Sequence, residues 1–432
     1  MIIWYRIFFL PLLFLLLPKY VARMWRRKGY IRTIKNRFGF YPQILRKQEK
    51  KRIWIQAVSV GEWLAIKPLI ISLIQMNYEI FITTTTSTAY QLISVDPVRK
   101  LIQFGAFPID FYLFSQRAWK SINPDLVLLM EAEIWPEHLQ QAKIRSVPVL
   151  LVNARLSDQS FYRYQRFSFF THWCFSRLCR ILASSVYDGE RFNKLYEKNI
   201  VEVTGNLKFD SVIKSQYSKK CKNIRKQKIC TIPSEESCVV IGASTWAREE
   251  RFLIDQYQEW MLKGYAVKLI LVPRHAERRQ EIINLLEERS LPFIFHSSGV
   301  TTTDETAVYV VDTTGELGDF IEISDIVLIG KSFPPHRGGQ TPLEAAFHGK
   351  AILYGSEMSN FKSICHDLEK IGGAVRCQNF SEASVILEKW IQYPNKAKIR
   401  GVAAKNFIRL NTGATEKTAS IIDQIMQSRN NR

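Results

Sequence analysis

Cysteine is scarce in this sequence, and its spacing argues against two classes of site. The 432 residues contain seven cysteines, with no C-x-x-C pair and no cluster with histidines. An odd number at irregular spacing argues against a disulfide framework or a zinc site and is typical of the reducing cytoplasm. The seven histidines are scattered, and no D-x-D or H-x-x-x-H motif occurs. We therefore expect no metal site.

Three common nucleotide and hydrolase motifs are also missing. The sequence has no G-x-x-x-x-G-K-[ST] loop and no G-x-G-x-x-G fingerprint, which argues against a P-loop enzyme and a conventional dinucleotide-binding domain. It has no G-x-S-x-G elbow either. A Ser–His–Asp triad without that elbow is not excluded by sequence.

Acidic residues are almost absent from two stretches of a chain whose net charge is +20. Residues 19–52 contain thirteen Lys or Arg and one acid, Glu49, and residues 214–228 contain seven Lys or Arg and no acid. Such charge attracts a polyanion, which can be a nucleic acid, an anionic membrane or a phosphorylated lipid. A solvated basic face is the plainer interpretation. No nucleic-acid-binding motif accompanies the charge, so we expect no nucleic-acid partner.

The N-terminus favours a membrane partner. Residues 1–20, MIIWYRIFFLPLLFLLLPKY, are nearly all apolar apart from Arg6, and about 20 such residues can cross a bilayer. A basic cluster follows instead of a cleavage site, which predicts that residues 1–22 form an uncleaved single-pass anchor in the inner membrane. The basic flank places the globular part in the cytoplasm. A shallow interfacial helix is the alternative. The basic segment 23–52 would then face anionic headgroups, through Arg23, Arg26, Arg27, Lys28 and Arg32.

Apolar strands alternate with helical patterns in two series, which predicts an α/β fold of two Rossmann-like parallel-sheet domains. The first domain covers residues 53–213, a basic linker 214–236, the second domain 237–402 and a C-terminal helix 403–432. The predicted strands are Ile53–Val58, Glu79–Thr83, Leu126–Glu131, Val147–Asn153, Arg180–Ala183, Cys238–Gly242, Val267–Val272, Ala307–Val311, Ile326–Gly330, Ala351–Tyr354 and Gly373–Arg376. Ligands of open α/β sheets bind at the carboxyl ends of the strands.

Candidate catalytic residues of the first domain lie at such ends. Glu62 is a lone acid after Gly61, between the first strand and a helix. Glu131 and Glu133 end a buried strand, where residues two apart point the same way, so acid–base work, charge stabilisation or sugar binding competes with simple helix capping. Lys208, in TGNLKFD, lies near the end of the domain, and its alternative is a solvated lysine.

Candidate anion-binding residues of the second domain also follow strands. Arg274 in LVPRHAERR can bind a phosphate through its guanidinium. The alternative is a surface arginine that caps a helix. Ser244 and Thr245 in GASTWAREE can hold an anion or cap a helix. The stretch GKSFPPHRGGQTPLEAA places a glycine pair before a helix, where backbone can approach a phosphate or sugar. Glu344, in the first turn of that helix, can accept hydrogen bonds from ribose hydroxyls or stabilise the helix.

Together these motifs resemble the membrane-anchored 3-deoxy-D-manno-octulosonic acid (Kdo) transferases of lipopolysaccharide inner-core synthesis. The matching stretches are AVSVGE, MEAEIWPE, NARLS, TGNLKFD, GASTWAREE, LVPRHAER, DTTGELGDF, RGGQTPLEAA and NFKSIC, in family order along essentially the whole chain. The resemblance implies a GT-B fold whose C-terminal helix packs on the first domain. It also implies inverting transfer of Kdo from CMP-Kdo to a phosphorylated lipid A precursor (lipid IVA), and onto Kdo already added, without a cofactor.

The resemblance also implies roles for single residues. Glu62 matches the proton acceptor, and Glu133 and Lys208 match positions that support the transition state. The implied donor-binding residues are Pro273, Arg274, Thr314, Gly315, Glu316, Gly338, Gly339, Thr341, Pro342, Leu343, Glu344 and Asn360. Two departures stand out: Gln340-Thr341 replaces the usual His-Asn, and Lys331 replaces a glycine.

A base must be ionised to act, and we expect the helix N-terminus to keep Glu62 ionised at neutral pH. Three rivals stay open on the residues alone. They are a GT-B transferase that uses another sugar nucleotide, a sugar-nucleotide epimerase of similar architecture, and a non-catalytic membrane-anchored protein that binds nucleotide or lipid.

Overall fold

The chain forms two compact units. The computed structural model describes residues 1–9, 11, 15, 33–42, 50–218, 237–300 and 306–428. The first unit comprises Met1–Ser211 with Asn411–Arg432, and the second comprises Val212–Leu410. The sequence prediction places the second boundary at residue 402, and most of the predicted basic linker, residues 219–236, lies outside the described residues.

The first unit is built on a seven-stranded parallel sheet of order β3-β2-β1-β4-β5-β6-β7. Its central strands are buried along their whole length, because helices cover both faces of the sheet. The carboxyl ends of β1 and β4 lie side by side, since the register pairs Gln56 with Leu129. The strands are β1 (Arg52–Gln56), β2 (Glu79–Thr84), β3 (Gln103–Ala106), β4 (Leu126–Met130), β5 (Val149–Ala154), β6 (Arg180–Ala183) and β7 (Val201–Val203).

Helices alternate with these strands, which makes the crossovers of a Rossmann-like unit. They are α1 (residues 2–9), α2 (Ile34–Arg37), α3 (Val60–Gln75), α4 (Ser87–Val95), α5 (Tyr112–Ile122), α6 (Pro136–Ile144), α7 (Asp158–Arg166), α8 (Ser168–Phe175), α9 (Val186–Leu195) and α10 (Leu207–Ser218). A 3₁₀ turn spans Pro97–Leu101.

The second unit repeats this plan with a parallel sheet of order β10-β11-β9-β8-β12-β13-β14. Its strands are β8 (Cys238–Thr245), β9 (Val267–Pro273), β10 (Phe293–Phe295), β11 (Val308–Val310), β12 (Ile326–Ile329), β13 (Ala351–Tyr354) and β14 (Ala374–Arg376). Its helices are α11 (Ala247–Leu262), α12 (Arg279–Glu287), α13 (Leu317–Ile323), α14 (Leu343–Phe347), α15 (Lys362–Lys370), α16 (Phe380–Gln392) and α17 (Pro394–Leu410), with 3₁₀ turns at Ala276–Arg278, His296–Ser298 and Ser359–Phe361. The prediction of two parallel α/β sheets is confirmed.

The C-terminal helix α18 (Ala414–Ser428) packs on the first unit. Ile422 and Met426 are buried in the same apolar core as residues of β1 and α3. The Asp210 carboxylate accepts the backbone N–H groups of Gly413 and Thr415, at 2.8 and 2.6 Å, at the start of this helix. The last part of the chain is therefore integral to the first unit.

The beginning of the predicted anchor is bound to the first unit by polar contacts. In helix α1, the Arg6 guanidinium donates to both carboxylate oxygens of the fully buried Glu137, at 2.8 and 2.9 Å. The Tyr5 hydroxyl donates to Asp110 Oδ2 at 2.8 Å. A buried ion pair to protein is not a feature of a free lipid-facing span, so an anchor that begins at residue 1 is not supported.

A membrane span is not found in the described part of the chain, where no helix combines the necessary length and apolarity. Residues 10, 12–14 and 16–22, which are half of the predicted anchor, lie outside that part.

Candidate active site

Glu62 lies where the sequence places it, just beyond the carboxyl end of β1. Ser59 caps helix α3 and accepts the backbone N–H of Glu62 at 3.3 Å. The Glu62 carboxylate turns back and accepts the Val58 N–H at 2.7 Å and the Ser59 hydroxyl at 3.0 Å. This reciprocal pattern is a capping box, so Glu62 has a structural role in addition to any chemical one.

The expectation that Glu62 is ionised at neutral pH because it lies at a helix N-terminus is wrong. Burial raises the pKa of Glu62 from about 4.5 to about 7, although the Val58 and Ser59 hydrogen bonds oppose the shift. The nearby charges of Glu131 and Glu133 raise this pKa further. Burial therefore outweighs these two hydrogen bonds, and a carboxyl with a pKa near neutrality suits a general base.

Glu131 is the acid that binds Lys208. Lys208 Nζ donates to Glu131 Oε1 at 3.0 Å, and the Arg155 guanidinium lies 3.7 Å from the same oxygen. Glu131 follows β4 directly and has a φ of 54°, a left-handed conformation that non-glycine residues rarely adopt. Such strain marks positions where side-chain direction matters.

Glu133 has a different partner. Its carboxylate accepts the Trp135 indole N–H at 3.0 Å, and burial raises its pKa. Strand β4 ends at Met130, so the argument that Glu131 and Glu133 point the same way along a strand does not apply. The carboxylate that contacts Lys208 is therefore that of Glu131. Arg155 stood in the quoted motif NARLS without being named as a candidate site residue.

Backbone hydrogen bonds fix the position of Lys208 at the start of helix α10. Its N–H donates to Asn206 Oδ1, and the Leu207 N–H donates to Asn153 Oδ1, both at 3.0 Å. Asn153 lies one residue before the end of β5, so this strand fixes the turn that carries the lysine. The first unit thus brings Glu62, Glu131, Glu133 and Lys208 to one edge of its sheet.

Glu249 organises the corresponding edge of the second unit. This buried carboxylate accepts the backbone N–H groups of Lys331, Ser332 and Phe333, at 2.8, 2.9 and 3.3 Å, and that of Trp246 at 3.0 Å. Sequence reasoning missed it, although a Glu three residues after a helix cap is the usual capping signal. The Thr245 hydroxyl donates to Glu250 at 3.0 Å, so it is already engaged within the protein.

The glycine pair Gly338–Gly339 is required by its surroundings. Both residues have positive φ, 104° and 68°, and a Cβ on Gly338 would lie 2.6 Å from Asn360 Nδ2. The Asn360 N–H donates to the Gly338 carbonyl at 3.0 Å, which brings the predicted donor residue Asn360 to the loop. Thr341 and Pro342 continue from the pair, and helix α14 then begins at Leu343 with Glu344 in its first turn.

The other predicted donor residues follow neighbouring strands. Pro273 ends β9, and the Arg274 N–H donates to the Thr245 carbonyl at 3.0 Å while its side chain is exposed. Thr314 and Gly315 lie in the turn after β11, and Glu316 caps helix α13, with its carboxylate 3.3 Å from His296 Nε2. The predicted membrane-surface residues Arg23, Arg26, Arg27, Lys28 and Arg32 lie outside the described residues.

Comparison with known proteins points to one family. A family model described as 3-deoxy-D-manno-octulosonic-acid transferase (kdotransferase) matches residues 32–211. A 3-deoxy-D-manno-octulosonic acid transferase of Haemophilus influenzae is 27% identical over 403 residues, which are 92% of either chain. One of Rickettsia bellii is 27% identical over 424 residues, which are 96% of either chain. The family model and these relatives support a Kdo transferase. They indicate a glycosyltransferase, so a purely non-catalytic role is set aside.

Solved structures agree on the fold. A UDP-GlcNAc 2-epimerase from Neisseria meningitidis has a TM-score of 0.57 at 12% identity, and the match covers 87% of this chain and 100% of the epimerase chain. A glycosyltransferase from Rickettsia africae has a TM-score of 0.56 at 12% identity, with coverages of 88% and 98%. These likenesses confirm the two-domain GT-B architecture and, at such identity, nothing further.

Proposed function

We propose that this protein transfers Kdo from CMP-Kdo to a phosphorylated lipid A precursor, lipid IVA, and onto Kdo already attached, with inversion at the anomeric carbon. The observation that carries the proposal is the buried Glu62 carboxyl, whose pKa is about 7, beside the Glu131–Lys208 pair. It occurs in a chain that resembles Kdo transferases, at the sheet edge where α/β proteins bind substrates.

Glu62 is the proposed general base. Inverting transfer needs one group to take the proton from the attacking acceptor hydroxyl as oxygen bonds to the anomeric carbon. A carboxyl with a pKa near 7 is ionised in about half of the molecules at neutral pH and binds a proton far more strongly than an ordinary glutamate. Its two protein hydrogen bonds, from Val58 and Ser59, fix its direction.

The charged groups beside Glu62 have complementary proposed roles. The bond from the sugar to CMP breaks with development of positive charge on the ring, as in glycoside chemistry, and the carboxylates of Glu131 and Glu133 favour that charge. Lys208 is held by Glu131 and offers its ammonium to an anionic group of the substrate.

The second unit is the proposed donor domain. CMP leaves as a phosphate monoester and needs fixed positive charge rather than a proton. In this proposal Arg274 and the backbone around Gly338 and Gly339 supply that charge, and Glu344 accepts hydrogen bonds from the ribose hydroxyls. No metal is needed in this scheme.

We also propose that the chain binds the cytoplasmic face of the inner membrane through its N-terminus. Four apolar side chains of α1 are more than half exposed, although the helix is fixed to the first unit by Arg6. They are Ile3, Trp4, Ile7 and Phe8. The basic residues that follow in sequence favour anionic headgroups. Flotation with phosphatidylglycerol vesicles tests this, and equal binding to neutral phosphatidylcholine vesicles would contradict the basic contribution.

The function is tested with the full-length protein extracted in detergent, CMP-Kdo as donor and lipid IVA as acceptor. We expect acceptor-dependent release of CMP and a gain of one Kdo mass, or more, on the lipid. Excess CMP should inhibit, whereas UDP and GDP should not. Inhibition by UDP or GDP instead of CMP would show that the donor is a different sugar nucleotide. Release of CMP without a lipid product would contradict the proposal that lipid IVA is the acceptor.

A further inference from the structure

Lys331 has an unusual backbone conformation next to the proposed donor site. It follows β12 and has a φ of 58°, in the left-handed region that side chains other than glycine rarely adopt. The surrounding structure fixes this conformation from both sides. The Lys331 N–H donates to the buried Glu249 at 2.8 Å, and the Lys331 carbonyl accepts the Gly339 N–H at 3.0 Å.

A lysine here carries strain that a glycine would avoid, so its side chain needs an explanation. Lys331 Nζ lies 5.5 Å from the centroid of the Trp246 ring. The same ring contacts His336 and His275, with centroids 4.6 and 5.1 Å away. The strained backbone therefore directs the ammonium over an aromatic cluster that follows the ends of β8, β9 and β12.

Two further observations indicate that this cluster receives a polar, anionic group. The buried indole N–H of Trp246 has no acceptor among the described residues, and buried polar groups normally have a partner. Burial, and then the positive charges of Lys331, Arg278 and Arg248, lower the pKa of His336. Arg278 is neutralised by Glu250, at 2.8 Å, whereas among the described residues Arg248 donates only to the Pro334 carbonyl, at 3.5 Å.

We propose that Lys331 is a donor-binding residue that pairs with an anionic group of the sugar nucleotide, with Trp246 as its platform. The inference rests on the proposed function for the identity of the nucleotide. The anionic group has two possible sources in CMP-Kdo, the phosphate and the sugar carboxylate, and both would be met by the same ammonium.

The test is calorimetric titration of the full-length protein with cytidine, CMP and CMP-Kdo, for wild type, Lys331→Gly and Lys331→Arg. Loss of one charged contact weakens binding about tenfold, so we expect this loss in Lys331→Gly and recovery in Lys331→Arg. A loss already seen with CMP assigns the phosphate, and a loss seen only with CMP-Kdo assigns the carboxylate. Cytidine should bind both variants as it binds wild type.

Thermal unfolding separates this role from folding. Lys331→Gly removes the backbone strain, so its Tm should equal or exceed that of wild type while binding falls. Ser290→Gly is the matched control, because Ser290 is an exposed residue of the same unit with a φ of 52°; its binding should not change. Unchanged affinity of Lys331→Gly for all three ligands would overturn the inference alone. Failure of wild type to bind CMP or CMP-Kdo would overturn the proposed function with it.

Discussion

Glu62 combines two tasks that compete for the same carboxylate. As part of the cap of α3 it accepts two hydrogen bonds that favour its charged form, and as a buried acid it resists ionisation. Burial dominates, and the pKa rises to about 7. A group whose folded pKa exceeds its unfolded value stabilises the protein at low pH and loses that contribution as pH rises through the folded pKa.

Replacement of Glu62 by Gln removes this titration. The stability of the Gln variant relative to wild type should increase as pH rises from about 4.5 to above 7, because only wild type must ionise a buried group. The full difference corresponds to about 3 kcal/mol. Chemical denaturation at pH 5 and pH 8 measures it.

Glu382 supplies the control for that experiment. It makes the same reciprocal cap in α16, accepting the Gln378 N–H at 2.7 Å, but it is exposed to solvent. Glu382→Gln should show no gain on going from pH 5 to pH 8. A Glu62→Gln variant that behaves in the same way would contradict the buried, raised-pKa description.

The pair formed by Lys208 and Glu131 makes a second prediction. Lys208→Met should lower kcat about 10²-fold, as removal of a fixed charge from a transition state does. Because the two residues act as a unit, adding Glu131→Gln should cost much less in the double variant than alone. Steady-state kinetics with CMP-Kdo and lipid IVA check this. Strict additivity of the two losses would show that the residues act separately.

The sequence predicted where these residues lie, but it did not predict the pKa of Glu62 or which acid contacts Lys208. Glu62 was placed correctly because a strand, a glycine and a helix define its position locally. The pKa of Glu62 depends on how deeply the carboxyl is buried by other parts of the chain. A local sequence motif carries no information about that burial. The contact between Glu131 and Lys208 was not predicted for a similar reason, since the left-handed backbone at Glu131 breaks the alternation expected of a strand. The catalytic role of Glu133 stays a prediction.

At the scale of elements, the central strands were predicted and three edge strands were missed. Strands β3, β7 and β10 each lie at an edge of their sheet and have only three or four residues. An edge strand pairs on one side only, so it needs neither length nor a continuous apolar run. The central strands β4 and β12 are apolar throughout because both sheet faces are covered, and that pattern is readable from sequence.

Helix α1 depends on a buried ion pair for its position. Glu137 is fully buried and Arg6 is its cation, so Arg6→Ala leaves a buried charge without compensation. We expect a loss of about 3 kcal/mol in the free energy of unfolding. Glu137→Gln in the same chain should recover a large part of that loss, because the uncompensated charge is removed as well.

The measurement is a double-mutant cycle of chemical denaturation on wild type, both single variants and the double variant. Arg191→Ala is a suitable control, since its ion-pair partner Asp158 is half exposed and such pairs contribute little. A coupling between Arg6 and Glu137 below about 0.5 kcal/mol would show that α1 is held by its aromatic contacts instead.

At the scale of the whole molecule, two similar sheets have different chemical edges. The first unit presents three carboxylates with one lysine, whereas the second presents a glycine loop, a tryptophan–histidine cluster and several cations. A general base takes the proton of the acceptor hydroxyl, and fixed positive charge stabilises the leaving phosphate. This division supports the proposal that acceptor chemistry resides in the first unit and donor binding in the second.

The measurement that tests the central claim most directly compares wild type with Glu62→Gln in the CMP-Kdo and lipid IVA assay. The account predicts that the variant binds CMP as wild type does and yields no lipid of increased mass. Wild type should give acceptor-dependent CMP release with Kdo on the lipid. Normal turnover by Glu62→Gln would contradict the assignment of the base, and absence of product from wild type would contradict the proposed reaction.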